Sequence, residues 1–333
     1  MKVLVTGGAG YIGSHAVRAL IARGHEAVVF DNLSRGHREA VRGTPLVAGD
    51  LLDADCLRRT FRGGAFDAVL HFAALAYVGE STAHPDAYYR TNVCGTLNLL
   101  DAMREARIER IVFSSSCATY GDPVSLPMAE DHPQRPVNPY GRSKLAAEWL
   151  LRDYEAAFGM RHVALRYFNA AGCSSDASIG EDHDPETHLI PRVLLAAAGQ
   201  IPHVTVLGTD WDTPDGTCVR DYVHVEDLAD AHILALEHLA RGGASRAWNL
   251  GTGKGCSVRE VLACAARVTG RPVPSVDGPR RAGDPAVLVA DARAVERELG
   301  WKPRRVDLED IVRSAWRWIE RGGRFPRPGG GSR

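Results

Sequence analysis

Short apolar runs and longer amphipathic stretches alternate along the first half of the chain. Lys2–Thr6 is a β-rich run, followed by a helical pattern through Ala16, Val17, Leu20 and Ile21 that Gly24 closes. Further strand-like runs fall at 26–30, 45–48, 67–71, 110–116 and 161–167, with helical stretches around 87–107 and 140–157. Apolar runs this short, separated by helices, predict βα units on a parallel sheet. The second half adds strands at 204–207 and 219–224 and helices near 228–239, 258–268, 292–299 and 308–319, with a short helix opening within 184–191. The expected fold class is α/β, a Rossmann-type doubly wound parallel sheet with a smaller α/β substrate-binding lobe. Residues 1–170 should form the first domain, with a segment near 219–240 returning to it. Residues 171–320 should form mainly the second lobe, and the Gly- and Pro-rich stretch 321–333 a mobile tail.

The junction between the first strand and first helix carries chemistry. Gly7, Gly10 and Gly13 stand in a G-x-x-G-x-x-G spacing. Without side chains there, the backbone approaches a pyrophosphate and lays it on the helix N-terminus. The second strand ends in Asp31, at the distance from the glycines where an acid bonds a ribose 2′-OH and repels a 2′-phosphate. This predicts NAD rather than NADP.

A second stretch changes the picture from binding to catalysis. Asn138 suits an N-cap and Pro139 a first helical position, so Tyr140 and Lys144 lie one turn apart on one helix face. An ammonium beside a phenol favours the phenolate, which then takes a proton from a sugar or alcohol hydroxyl. A surface Tyr-Lys pair is the plainer alternative. Ser116 closes the 110–116 run, either as a turn residue or as a hydroxyl that bonds a substrate oxygen beside Tyr140.

Composition excludes several classes. The chain has 333 residues, is 45% hydrophobic and carries a net charge of −1, so it has a large core and no basic field for nucleic acid or anionic membrane. Seven cysteines without a C-x-x-C pattern suit reduced thiols in the cytoplasm. The N-terminus reads as a strand and not a signal peptide, and no apolar run is long enough to span a bilayer. No metal site is expected. Cys256 and Cys264 suit core or surface thiols, and no carboxylate is spaced to join His183 and His188 in ligating an ion.

Ten segments, in order, resemble one family: T-G-G-A-G-Y-I-G-S-H from Thr6, D-N-L from Asp31, H-F-A-A from His71, V-G-E-S from Val78, S-S-S from Ser114, Y-G-R-S-K from Tyr140, R-Y-F-N-A-A-G from Arg166, G-T-x-V-R-D-Y-V-H-V-x-D-L-A from Gly216, N-L-G-T-G from Asn249 and G-P-R-R-A-G-D-P from Gly278. Together they resemble the UDP-glucose 4-epimerases of the extended short-chain dehydrogenase/reductases, over residues 1 to about 320. The glycine loop and Tyr-Lys pair fit the whole superfamily. The V-R-D-Y-V-H-V and P-R-R-x-G-D blocks point to nucleotide-sugar enzymes.

The resemblance implies an NAD-dependent UDP-hexose 4-epimerase, in the cytoplasm and as a homodimer joined through the helices near 87–107 and 140–157. Tyr140 is then the base, Lys144 the residue that holds the nicotinamide ribose and lowers the Tyr140 pKa, and Ser116 the hydroxyl on the reacting oxygen. Around the cofactor the resemblance places Gly7, Gly10, Tyr11, Ile12, Gly13, Asp31, Asn32, Leu33, Ser34, Gly36, Asp50, Leu51, Phe72, Ala73, Ala74, Thr91, Ser114, Tyr167 and Phe168. Arg220 and Arg281 would grip the UDP diphosphate and Asp284 the uridine-side ribose. Asn169, His188, Leu189, Thr205 and Leu207 would line the sugar and uracil, with Leu288 as a gate beside the C2 substituent. Read alone, the two arginines also suit surface charges and Leu288 an ordinary core position.

Three positions depart from the family pattern: Ala76 where a Lys is frequent, Thr91 for the first Asn of an N-N-V run, and His188 for an Asn. They touch substrate detail rather than the proton chemistry. Rival readings are a 4-epimerase of UDP-pentoses, UDP-uronates or UDP-N-acetylglucosamine, and a non-catalytic NAD-sensing regulator. A 4,6-dehydratase is disfavoured because Cys117, Ala118 and Thr119, not an acid-base pair, follow Ser116.

Overall fold

A computed structural model describes residues 1–281 and 283–326. Of the mobile tail expected over 321–333, residues 327–333 lie outside the described residues, while Phe325 is instead buried against Trp318. Six strands, β1 (Lys2–Thr6), β2 (Glu26–Asp31), β3 (Leu46–Ala48), β4 (Ala68–His71), β5 (Arg110–Ser116) and β6 (Arg161–Tyr167), occur close to where the apolar runs lie. They are followed by β7 (Asn169–Ala171), β8 (Val204–Leu207), β9 (Val219–His224) and β10 (Arg246–Leu250). The last three are β11 (Gly255–Ser257), β12 (Ser275–Gly278) and β13 (Val287–Leu288).

The main sheet has seven parallel strands in the order β10-β6-β5-β4-β1-β2-β3. The order reverses between β1 and β4, the kind of point where open α/β sheets hold ligands beyond their strand C-termini. Alternate residues of the central strands feed cores on opposite faces. Val3, Val5 and Val112 pack with Leu20, Leu228 and Leu236 of helices Tyr11–Ala22 and Val225–Ala240. Leu4, Ile111 and Phe113 pack with Leu57, Leu99 and Leu151 of helices Ala54–Gly63, Gly95–Glu105 and Pro139–Phe158. Burial on both faces explains why these strands read as continuous apolar runs instead of alternating ones.

Two smaller sheets carry the second half. β9 pairs with β7, β11 and β13, and β8 pairs with β12. Behind them, helices Leu189–Ala197, Val258–Thr269 and Leu308–Glu320 enclose a separate core around Val193, Val261, Ile311 and Trp316. The chain returns to the first sheet further than expected. Beyond the 225–240 helix, β10 adds the edge strand next to β6, burying Trp248.

Local departures have local causes. The stretch expected as one helix over 87–107 is helical at Pro85–Tyr88, widens into a π-turn over Tyr89–Cys94 and resumes at Gly95. Within the wide turn Asn92 is buried. Its Nδ2 donates to Leu75 O (3.0 Å) and Ser143 Oγ (2.9 Å), while its Oδ1 accepts from Leu75 N (2.8 Å). The short helix expected within 184–191 starts only at Leu189.

The 139–158 helix is fastened by a buried charge pair. Arg166 on β6 donates Nε to Glu148 Oε1 (2.9 Å) and Nη2 to Oε2 (2.7 Å), and Ser115 donates to Oε1 (2.6 Å). Burial by itself raises the Glu148 carboxyl, but Arg166 outweighs it and holds the group below the ordinary glutamate range. Glu148→Ala would leave the guanidinium buried and unpaired, at a cost of about 3–5 kcal/mol in denaturant unfolding. Because the folded-state pKa is depressed, this part of the stability is present above the ordinary glutamate range and lost as pH falls below it. Stability against pH, measured on both proteins, should show the wild-type loss at low pH flattened in the variant.

Candidate active site

The strand C-termini open into a single cavity of about 720 Å³ that runs from the glycine loop to β8, β9 and β13. At one end Gly7 sits at φ +69°, and a Cβ there would lie 2.4 Å from Ala73 N. A Cβ on Gly13 would lie 2.2 Å from Gly7 O. These contacts explain the glycines at both positions. The 11–22 helix starts at Gly10 without a side-chain cap, which leaves first-turn N–H groups open to a phosphate. At the end of β2, Asp31 is buried and accepts from Ala9 N (3.0 Å) and Leu33 N (2.8 Å). Burial raises its pKa. These features fit a dinucleotide.

The cavity wall contains Gly10, Tyr11, Ile12, Asn32, Ser34, Gly36, Asp50, Leu51, Phe72, Ala73, Ala74, Thr91, Ser114, Tyr167 and Phe168, all foreseen around a cofactor. Leu33 is the exception. It takes a positive φ of 58°, and its side chain packs against the core instead of lining the cavity, so only its amide, bonded to Asp31, serves the site.

Mid-cavity, the 139–158 helix begins as its sequence requires: Gly141 N donates to Asn138 Oδ1 (2.9 Å), with Pro139 in the first position. Tyr140, Lys144 and Glu148 form one buried stripe along it, and the first two reach the cavity with Ser116. The electrostatics differ from the sequence reading. Lys144 Nζ donates to Ser114 O (2.8 Å) and lies 4.9 Å over the Phe113 ring. Burial pushes its pKa down to about 7 despite Glu148. Tyr140 is not lowered toward neutrality. Burial, with a smaller push from Tyr167, holds the phenol above its ordinary range, while a hydrogen bond with Ser116 opposes them. Desolvation decides the direction at both groups, pushing each toward its neutral form.

At the far end lie Asn169, His188, Leu189, Thr205, Leu207, Arg220, Arg281, Asp284 and Leu288. Arg220 donates to Val219 O (2.9 Å) and Ala286 O (3.3 Å), and Arg281 forks onto Asp284 at 2.9 and 3.0 Å. Leu288 is both wall and core, buried beside Tyr120, Met128 and Phe168. Leu75, Ala76, Tyr77, Cys117, Glu181 and His183 also line the cavity. Of these, Tyr77 carried no motif signal; Arg35 stacks over its ring at 5.0 Å.

One expectation is corrected outright. Carboxylates do join His183 and His188: Glu181 and Glu186 both come within ion-pair distance of the two rings. The cis-acting spacing was obscure because residues 181–188 fold as an irregular loop, not a helix.

Comparison with known proteins agrees with the geometry. The pattern of the NAD dependent epimerase/dehydratase family matches residues 3–251. The chain belongs to that family. It is 49% identical over 318 residues to the UDP-glucose 4-epimerase of Halalkalibacterium halodurans, covering 96% of this chain and 95% of the relative. Among solved structures it resembles the Brucella ovis UDP-glucose 4-epimerase in complex with NAD, at 54% identity and a TM-score of 0.92, over 95% of this chain and 97% of that one. It also resembles the Bifidobacterium longum UDP-glucose 4-epimerase in complex with NAD⁺ and UDP, at 40% identity and a TM-score of 0.93, over 97% and 99% of the two chains.

The buried Asp31 generates a prediction about cofactor choice. The protein should bind NAD more tightly than NADP, and Asp31→Ala should narrow the gap by about tenfold, the scale of one screened charge repulsion. Titration of both dinucleotides into both proteins measures it; equal binding by the unmodified protein would contradict the assignment.

Proposed function

We propose that this protein is an NAD-dependent 4-epimerase that interconverts UDP-galactose and UDP-glucose. The observation that carries the reading is that one cavity joins the glycine loop, the Ser116–Tyr140–Lys144 group and the Arg220–Arg281 end. A dehydrogenase needs the first two; an anchored nucleotide sugar also needs the third.

In this reading residues 1–170, with the returning segment near 219–240 and β10, form the dinucleotide domain, and the remainder to about 320 mainly holds the UDP-sugar. NAD, when bound, supplies reversible hydride chemistry at C4 of the sugar and a positive charge in its oxidised form. Tyr140 removes the C4 hydroxyl proton while Ser116 hydrogen-bonds the same oxygen. Burial favours the neutral phenol, so deprotonation of Tyr140 depends on positive charge brought close to it. Lys144 adds part of that charge and, fixed by the Ser114 carbonyl, is placed to hold the nicotinamide ribose. Arg220 and Arg281 grip the diphosphate with planar forks, Arg281 exchanging its Asp284 partner. With UDP held, the 4-keto ring turns, presents its other face, and recovers its proton from Tyr140.

The cytoplasm and a homodimer belong to the same proposal. All seven cysteines are free, and among the described residues no helix is long and apolar enough to cross a membrane. Leu97, Trp149 and Phe158 are exposed on the two helices of the proposed dimer face.

A coupled assay with UDP-galactose tests the reading directly: UDP-glucose should form without stoichiometric NADH release, and such release would mean a dehydrogenase. Tyr140→Phe should lower turnover by roughly 10²–10⁴ with folding intact; near-normal turnover would place the base elsewhere. Leu288 generates a substrate prediction. Overfilling a tight site costs about 1–3 kcal/mol, so UDP-galactose should exceed UDP-N-acetylgalactosamine by at least about tenfold in kcat/KM. Leu288→Gly should relax that preference, and equal use of both sugars by the unmodified enzyme would remove Leu288 as a gate.

A further inference from the structure

Glu181, His183 and His188 of the cavity wall cluster with Glu186 beside them. His188 Nδ1 lies 2.7 Å from Glu181 Oε1 and 3.1 Å from Glu186 Oε1. His183 Nδ1 lies 3.2 Å from the same Glu181 oxygen and 3.6 Å from Glu186 Oε2. One atom from each residue falls within 4.8 Å of all the others.

Hydrogen-bond geometry leaves one nitrogen of this ion-paired arrangement unsatisfied. His188 Nδ1 has a hydrogen bond with Glu186, but His183 Nδ1 is buried and makes none, although two carboxylates stand beside it. The four nitrogen–oxygen separations, 2.7 to 3.6 Å with both Glu186 oxygens counted, bracket the edge of a tetrahedron around zinc, about 3.3–3.4 Å for zinc bonds of about 2.0–2.1 Å. Tyr11 and Tyr77 pack edge-on to His183 at 6.2 and 5.7 Å between ring centres, and Tyr77 also packs on His188. Two imidazoliums against two carboxylates are neutral as a group; so is one divalent ion with two neutral imidazoles and the same carboxylates.

We propose that Glu181, His183, Glu186 and His188 bind one divalent ion of the zinc class, tetrahedrally, at the edge of the cavity. Two nitrogen donors favour zinc over magnesium or calcium, which take oxygen ligands. Glu181 and His183 are largely enclosed, while His188 is the more open of the four, so the ion enters from the cavity. The site does not depend on the epimerase reading. If that reading holds, a bound ion fixes His188 and raises the KM for the UDP-sugar.

The test uses the full-length protein, stripped with a chelator and titrated with zinc chloride alone against a competing chromophoric chelator. Expected is one ion per chain, with magnesium at least about a hundredfold weaker. His183→Gln and Glu186→Gln, each checked for native circular dichroism and melting temperature, should weaken zinc binding at least about tenfold. Cys94→Ser, which alters an exposed thiol outside the cluster, should leave it unchanged. Crystals of the zinc-loaded wild-type protein provide a readout that needs no variant: an anomalous peak at the zinc edge among the four side chains. No stoichiometric binding, binding unaffected by both variants, or a peak elsewhere would overturn the proposal. Absence of turnover by the zinc-free protein, with zinc binding intact, would instead count against the epimerase reading alone.

Discussion

The buried pair between Glu148 and Arg166 is the fastening on which the catalytic geometry depends. A carboxylate and a guanidinium taken out of water persist only with nearly complete hydrogen bonding, and here they have it. Glu148 holds Arg166 through both oxygens and accepts from Ser115, while Arg166 also donates to Tyr120 and to the Glu130 carbonyl. Tyr120 passes the chain of bonds to Asn249 on β10. The helix of Tyr140 and Lys144 is thereby tied to β5, β6 and the returning strand, and it sits at a fixed height above the strand ends.

That rigid placement explains the electrostatics. Packing the helix tightly buries Tyr140 and Lys144 together, and burial pushes both toward their neutral forms. In the protein alone, burial thus favours the protonated Tyr140 phenol.

The second half is joined to the first sheet through β9. β9 extends from the small sheet to the N-cap of the 225–240 helix, where His224 Nδ1 accepts from Glu226 N (3.1 Å). That helix packs on the 11–22 helix in the core beneath the glycine loop. The far end of the cavity and the glycine loop thus share one packed frame.

What the sequence determined by itself is whatever local chemistry dictates. Strand, glycines, helix and acid from Lys2 to Asp31 are legible because a close backbone approach excludes Cβ at Gly7 and Gly13 wherever the chain folds this way. The Asn138 cap and the Tyr140–Lys144 spacing are legible because one helix turn places them on one face. The tertiary structure decided whatever depends on distant partners. Glu148 reads as an ordinary helix acid until Arg166, 18 residues on, meets it across the sheet. Lys144 reads as a partner for Tyr140 until the Ser114 carbonyl, 30 residues away, takes its ammonium. β10 reads as loop until β6 offers an edge, and Leu33 as a lining residue until its backbone turn aims it into the core. The four groups at 181–188 show no regular period because a loop without helix or strand geometry brings them together. Spacing along a chain predicts proximity only where the backbone repeats; elsewhere desolvation and packing decide it.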